Sequence, residues 1–144
     1  MGNTKAEKIG WIGLGNMGKP MVQNLINAGF DLIAYNRSPE KAAFLTEQGI
    51  QVSNSIADLV NATTIIFTMV SDDEAVNVIY NEIFQIENIK GKLFIDMSTI
   101  SKQLSLAVAE KIKSKDAGFL DAPVLGSTKP ATEGTLVIVV GGDD

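Results

Sequence analysis

Cysteine and histidine are both missing from the 144 residues. Their absence excludes disulfides, a thiol nucleophile, a Cys/His zinc site and a histidine general base. Proton transfer would therefore fall to Lys, Asp, Glu or Tyr, and no metal site is expected. Basic charge is also scarce. The 12 Lys and Arg against 17 Asp and Glu leave a net charge of −5. That argues against nonspecific capture by nucleic acid or by an anionic membrane, but leaves room for a local basic site that holds a phosphorylated small molecule. No apolar run approaches the roughly 20 residues of a membrane-spanning helix. The opening MGNTKAEKIG has no apolar core of a secretory signal, and Ala6 stands where a myristoylation signal wants Ser or Thr. Asn61-Ala62-Thr63 spells a glycosylation sequon, which without a secretion signal reads as chance. The expectation is a cytoplasmic protein with neither nucleic-acid nor membrane partner.

What is present is 45% hydrophobic residues, enough for the core of one ordinary domain. Strand-like and helix-like stretches alternate. Lys8–Leu14 is short, apolar and β-rich, and Asn16–Ala28 spaces Met17, Met21, Val22, Leu25 and Ile26 as one helix face. Asp31–Tyr35 reads as a second strand, and Pro39–Gln48 as a helix capped by Ser38. A short strand at Gln51–Val52 and a capping box at Ser55–Asp58 follow. Thr63–Val70 is continuously apolar, as in a strand covered on both faces. A second capping-box spelling at Ser71–Glu74 opens a helix over Asp72–Tyr80. Leu93–Asp96, Phe119–Asp121 and Thr135–Val140 read as strands, and Ser101–Lys113 as a helix. The alternation predicts a single α/β domain of Rossmann type, with a doubly wound, mostly parallel sheet and right-handed crossovers. Gly141–Asp144 reads as a turn with nothing tying it down, the mark of a domain cut from a longer chain.

Gly13, Gly15 and Gly18 stand at i, i+2 and i+5 between the first strand and the first helix. In a dinucleotide site the first glycine makes the tight turn, the second lets the backbone approach a pyrophosphate, and the third lets the helix pack on the sheet. The helix N-terminus then faces the phosphates. The loop Gly13–Gly18, with Leu14, Asn16 and Met17 between the glycines, is thus a candidate cofactor cradle. An NAD site would place a carboxylate at the end of the second strand, to hold the ribose hydroxyls. Asn36, Arg37 and Ser38 stand there instead. A planar guanidinium beside a hydroxyl suits the 2′-phosphate of NADP, which a carboxylate would repel. NADP is expected in preference to NAD.

Gly13–Met21, reading GLGNMGKPM, resembles the start of the β-hydroxyacid dehydrogenases, a family that includes 3-hydroxyisobutyrate dehydrogenase, the glyoxylate/succinic semialdehyde reductases and, more distantly, 6-phosphogluconate dehydrogenase. Thr68–Asp72, Asp96–Thr99 and Asp121–Ser127 with its continuation to Leu136 resemble three further family stretches, in order. The resemblance implies hydride transfer between NADP(H) and a small hydroxy acid or aldehyde acid. It implies that Met69 and Val70 meet the adenosine ribose and that Thr99 meets the nicotinamide ribose. It further implies that Ser98, Leu125, Gly126 and Ser127 hold a substrate carboxylate. Leu125 departs from the serine usual in the family, which leaves the substrate open. The resemblance places the family's catalytic lysine on a long helix of a second, helical domain, which also makes the usual homo-oligomer. No lysine among the 144 residues, Lys19, Lys102 and Lys129 included, matches that position. The expectation is a cofactor-binding domain with no catalytic residue of its own and the helical domain absent. The alternative is a stand-alone NADP(H)-binding or sensing module that acts with a partner chain.

Overall fold

The computed structural model describes residues 7–143; the myristoylation reading at Gly2 and Ala6, and Asp144, lie outside the described residues. Seven strands form one sheet in the order β3-β2-β1-β4-β5-β6-β9. They are β1 (Ile9–Ile12), β2 (Leu32–Tyr35), β3 (Gln51–Val52), β4 (Ile65–Thr68), β5 (Leu93–Asp96), β6 (Gly118–Asp121) and β9 (Gly141–Gly142). All neighbouring pairs are parallel except β6 with β9. The helices are α1 (Gly18–Asn27), α2 (Ala43–Thr46), α3 (Ile56–Ala62), α4 (Asp73–Ile83), α5 (Lys102–Lys113) and α6 (Thr128–Glu133). A separate hairpin joins β7 (Val124–Leu125) to β8 (Val137–Ile138).

Period-2 alternation sends successive strand residues to opposite faces, and each face has its own core. Ile12, Ile33, Ile66 and Phe94 pack with residues of α3, α4 and α5. Ile9, Trp11, Leu32 and Ala34 pack with residues of α1, α2 and α6. The sheet is thus covered on both sides, which is why the strands read as continuous apolar runs. Gly10 lies where α3 comes closest to β1. A Cβ there would stand 2.5 Å from Leu59 Cδ2 and 2.9 Å from Thr63 Oγ1. Gly10→Ala should therefore lower stability by about 1–3 kcal/mol, the usual cost of overpacking, measurable by urea unfolding.

Both helices expected to open on capping boxes start with a side-chain cap, one of them shifted by a residue. Ser55 Oγ accepts from Asp58 N as its capping box predicts. In the second box Asp72, not Ser71, is the cap: its Oδ1 accepts from Ala75 N at 2.8 Å. A carboxylate one residue nearer the helix is the stronger acceptor for those N–H groups and favours the positive helix end. The helix expected over Pro39–Gln48 is instead a 3₁₀ turn, Pro39–Ala42, followed by the single turn of α2, and Ser38 makes no side-chain cap bond.

The largest departures lie after Asp121. The strand expected over Thr135–Val140 contributes only Val137–Ile138, and those pair outside the main sheet. Val137, Ile138, Val139 and Val140 are exposed. A β-branched run predicts a strand but not what covers it. Gly141–Gly142, expected to be an untethered turn, instead pairs with Asp121 and Leu120 at the sheet edge. The stretch around Lys129 and Pro130, given no element from the sequence, forms α6, since proline is tolerated in a first helical turn.

Candidate functional site

The strand order reverses at β1. The chain builds outward through β2 and β3, then crosses to β4, β5 and β6 on the other side. In open α/β sheets ligands bind in the crevice beyond the strand carboxyl ends at such a switch point. The glycine loop lies there, between β1 and α1. Gly13 N donates to Tyr35 O at 3.0 Å, and Gly13 has φ +106°, which an L side chain rarely adopts. A Cβ on Gly13 would collide with the Met69 carbonyl, and one on Gly18 with the Gly13 carbonyl. That carbonyl also accepts from the buried Trp11 Nε1 at 2.8 Å. The indole therefore fixes the turn, a role missed in the sequence although a buried tryptophan N–H normally finds a partner. Gly15 differs from its companions: a Cβ there would meet nothing within 4 Å. Its surroundings are open, as a cradle for a ligand requires. Met17 caps α1 with no side-chain acceptor, so no side-chain cap bond is made at the helix N-terminus.

At the end of β2, Asn36 is a staple. Its Oδ1 accepts from Leu14 N at 2.9 Å, and its Nδ2 donates to Ser38 O at 3.0 Å. The sequence reading made Asn36 a cofactor ligand; the structure turns its amide onto the loop itself. Leu14, also read as a cofactor residue, spends its N–H on Asn36 and buries its side chain. Arg37 is exposed and makes no ion pair or hydrogen bond among the described residues. A cleft of ≈ 380 Å³, which Arg37 does not line, is formed by Leu14, Gly15, Asn16, Lys19, Lys41 and Phe44, with Glu40 its one carboxylate. Lys19 Nζ lies 4.7 Å from the Phe44 ring centroid. Lys41 went unnoticed in the sequence, because its approach to the glycine loop depends on how the 3₁₀ turn folds back.

The loops after β4 and β5 stand next to the cradle. Met69 N donates to Ile12 O at 2.9 Å, and Met97 N to Thr68 O at 2.8 Å. Met69 is buried and Val70 half-buried against the space above Gly13, while Thr99 is exposed. Ser98, read as a substrate contact, is fully buried, and its Oγ accepts from Val70 N at 3.0 Å. Ser98 N in turn donates to Asp96 Oδ1 at 2.9 Å. Asp96 Oδ2, Thr68 Oγ1 and the Tyr80 hydroxyl are buried without a hydrogen-bond partner among the described residues. Burial pushes the Asp96 carboxyl up to about 6, opposed by its bonds to Ser98 and reinforced by Asp121. Burial and then the nearby Asp96 raise Tyr80, and Thr68 lies close enough to soften that effect without good hydrogen-bond geometry. The Asp121 carboxyl is also raised by burial, against a contact with Ser105.

Of the remaining candidates, Leu125 and Ser127 are exposed, and Gly126 has φ +137° with Leu136 packed over it. Ser127 opens α6 without a side-chain cap bond. Asn24 Nδ2 donates to Ala131 O at 2.7 Å, which fixes α6 on α1. Thr128 and Thr132 thereby share a groove with Asn16 and Lys19. Among the described residues no three acidic side chains gather as a metal would need, and no helix is long and apolar enough to cross a membrane.

The chain has known relatives. Glyoxylate/succinic semialdehyde reductase 1 of Arabidopsis thaliana is 38% identical over 94% of this chain and 48% of its own length. A solved 3-hydroxyisobutyrate dehydrogenase of Mycobacterium tuberculosis, with L-serine, superposes at TM-score 0.88 with 34% identity, over 96% of this chain and 47% of that one. Psf3, solved in complex with NADP+ and 2-OPP, superposes at TM-score 0.88 with 27% identity, over 94% of this chain and 49% of that one. The chain thus spans about half the length of these relatives. Residues 8–144 match the NAD binding domain of 6-phosphogluconate dehydrogenase, and the chain belongs to that family of NAD(P)-binding domains.

Proposed function

We propose that the chain binds NADP(H) in preference to NAD(H), as the nucleotide-binding domain of an oxidoreductase acting on a small 3-hydroxy acid or aldehyde acid of the 3-hydroxyisobutyrate, glyoxylate or succinic semialdehyde type. The observation that carries the cofactor preference is Arg37. It stands exposed and unpaired among the described residues just past the end of β2, followed by Ser38, whose hydroxyl makes no cap bond, and by Lys41, which lines the cleft. The open space at Gly15 and the uncapped start of α1 suit the pyrophosphate. Met69 and Val70 would flank the adenosine ribose and Thr99 the nicotinamide ribose. Leu125, Gly126 and Ser127 would face the substrate carboxylate. When bound, the nicotinamide supplies the hydride chemistry; the protein's part is to hold it and exclude alternatives.

Calorimetric titration with NADPH and NADH tests this. Arg37→Ala should weaken NADPH by roughly 10- to 100-fold, the worth of a charge-assisted contact, and leave NADH within about twofold. Equal affinity of the unaltered chain for both would remove the NADP preference. No binding of either would remove the cofactor reading. The 144 residues contain no lysine in the position that the resemblance gives to acid–base work, and such help is worth roughly 10²–10⁴-fold in rate. Negligible turnover of this chain on glyoxylate or succinic semialdehyde is therefore expected in a coupled absorbance assay; brisk turnover would locate the acid–base group within it.

A further inference from the structure

We infer that Asp96 and Ser98 are positioning residues: they form a strut that sets the spacing between the loops after β4 and β5, on which the bound cofactor would lie. The use of the strut rests on the cofactor reading above; its existence does not. Neither side chain touches the crevice, since both are fully buried.

The geometry is a two-step chain. Val70 N donates to Ser98 Oγ at 3.0 Å, and Ser98 N donates to Asp96 Oδ1 at 2.9 Å. Asp96 closes β5, and Val70 stands two residues beyond the end of β4. β4 and β5 are paired in register as far as Thr68 and Asp96. One backbone bond, Met97 N to Thr68 O, continues that ladder past the strand ends. Beyond it the Ser98 hydroxyl replaces the ladder. Val70 is the residue whose Cγ1 would lie 2.9 Å from a Cβ on Gly13. A shift of Val70 is therefore felt by the glycine turn directly.

A buried carboxylate is a costly way to hold one N–H. An apolar core would need none, so its retention asks for a reason. The groups facing Asp96 do not supply one through charge: Thr68 on β4, Tyr80 on α4 and Asp121 on β6 include no cation, and Asp121 is of like sign. What it does bond is the loop: Ser98 N donates to it at 2.9 Å, and the Ser98 side chain adds a further contact. A position that must accept from Ser98 N, and thereby aim the Ser98 hydroxyl at Val70, accounts for that bond.

The Val70 amide reads the strut directly, by hydrogen exchange followed by NMR on the whole chain, and NADPH affinity reads its use. Ser98→Ala should speed Val70 exchange by about tenfold or more and weaken NADPH by roughly 3- to 10-fold, the net worth of one hydrogen bond. Asp96→Ala should do the same through loss of aim. Asp96→Asn keeps an oxygen for Ser98 N and should restore both readouts to within about twofold of the unaltered chain. A merely structural role would lower stability in all three without this rescue. If Asp96→Ala does not fold, Ser98→Ala, which removes one oxygen, decides. Unchanged Val70 exchange in Ser98→Ala overturns the strut. Faster exchange with unchanged NADPH affinity overturns its use. If the unaltered chain binds neither NADPH nor NADH, the cofactor reading and the use fail together, while Val70 exchange still decides the strut.

Discussion

Gly13→Ala and Gly18→Ala should both unfold the glycine loop, whereas Gly15→Ala should leave stability intact and abolish tight NADPH binding. The sequence gives the three glycines different roles, and the structure gives two of them a close neighbour and Gly15 none. At Gly13 an added methyl meets the Met69 carbonyl, and the backbone sits at φ +106°. Strain of that kind costs about 1–3 kcal/mol and the collision adds a comparable amount. Gly13→Ala should therefore cost about 3 kcal/mol or more. Gly18→Ala drives its methyl into the Gly13 carbonyl, which the Trp11 indole already holds. Neither the carbonyl nor the indole can retreat without opening the core, so a similar loss is expected. Gly15 has φ outside the left-handed region and nothing within 4 Å of its would-be Cβ. Gly15→Ala should stay within about 0.5 kcal/mol of the unaltered chain, as surface changes do. Its methyl would stand where a pyrophosphate must approach the backbone, and NADPH affinity should fall by at least about tenfold. Thermal unfolding and calorimetry on the three variants separate the two effects. Full NADPH affinity in Gly15→Ala would mean that the cofactor does not lie over that residue.

The same contrast marks how far the sequence could be read. The strand–loop–helix order around Gly13, Gly15 and Gly18 was legible because its requirements are local: a turn, a close approach, a packed helix start. The doubly wound sheet was legible because apolar runs such as Ile65–Thr68 alternate with helix faces and caps. The Asn36 staple was not, since a side chain's choice of Leu14 N depends on the register of β1 against β2, which pairs Ile12 with Tyr35. The Ser98–Val70 bond was hidden for the same reason, whereas the Trp11 bond is local and depends on the path of the turn at Gly13. Thr135–Val140 misled because a β-branched run states a preference for extended backbone and says nothing of its partner. The sequence reading assigns no element around Pro130, yet proline in the first turn and glycine just past the last both suit the short helix α6.

Asp96 carries the other large expected effect, and its sign runs against the usual carboxylate. Most acidic groups are held below their free values and lend stability at neutral pH. Burial raises Asp96 from 3.8 to about 6. A folded value above the unfolded one means that its contribution is fully present below pH 3.8 and is lost as pH rises through about 6. The gap, at about 1.4 kcal/mol per pH unit, makes the ionised carboxylate cost about 3 kcal/mol at pH 7 and above. Asp96→Asn cannot ionise and keeps an acceptor for Ser98 N. Its stability relative to the unaltered chain should therefore rise by about 3 kcal/mol between about pH 4 and about pH 8. Comparing the two chains at each pH cancels the other carboxylates; Asp121 is raised by its own burial and not by Asp96. Urea unfolding of both chains across that range gives the difference directly. A flat difference would mean that Asp96 ionises at its ordinary value, hydrated despite its burial. A difference that falls with pH would mean that an unseen donor stabilises the carboxylate at Oδ2.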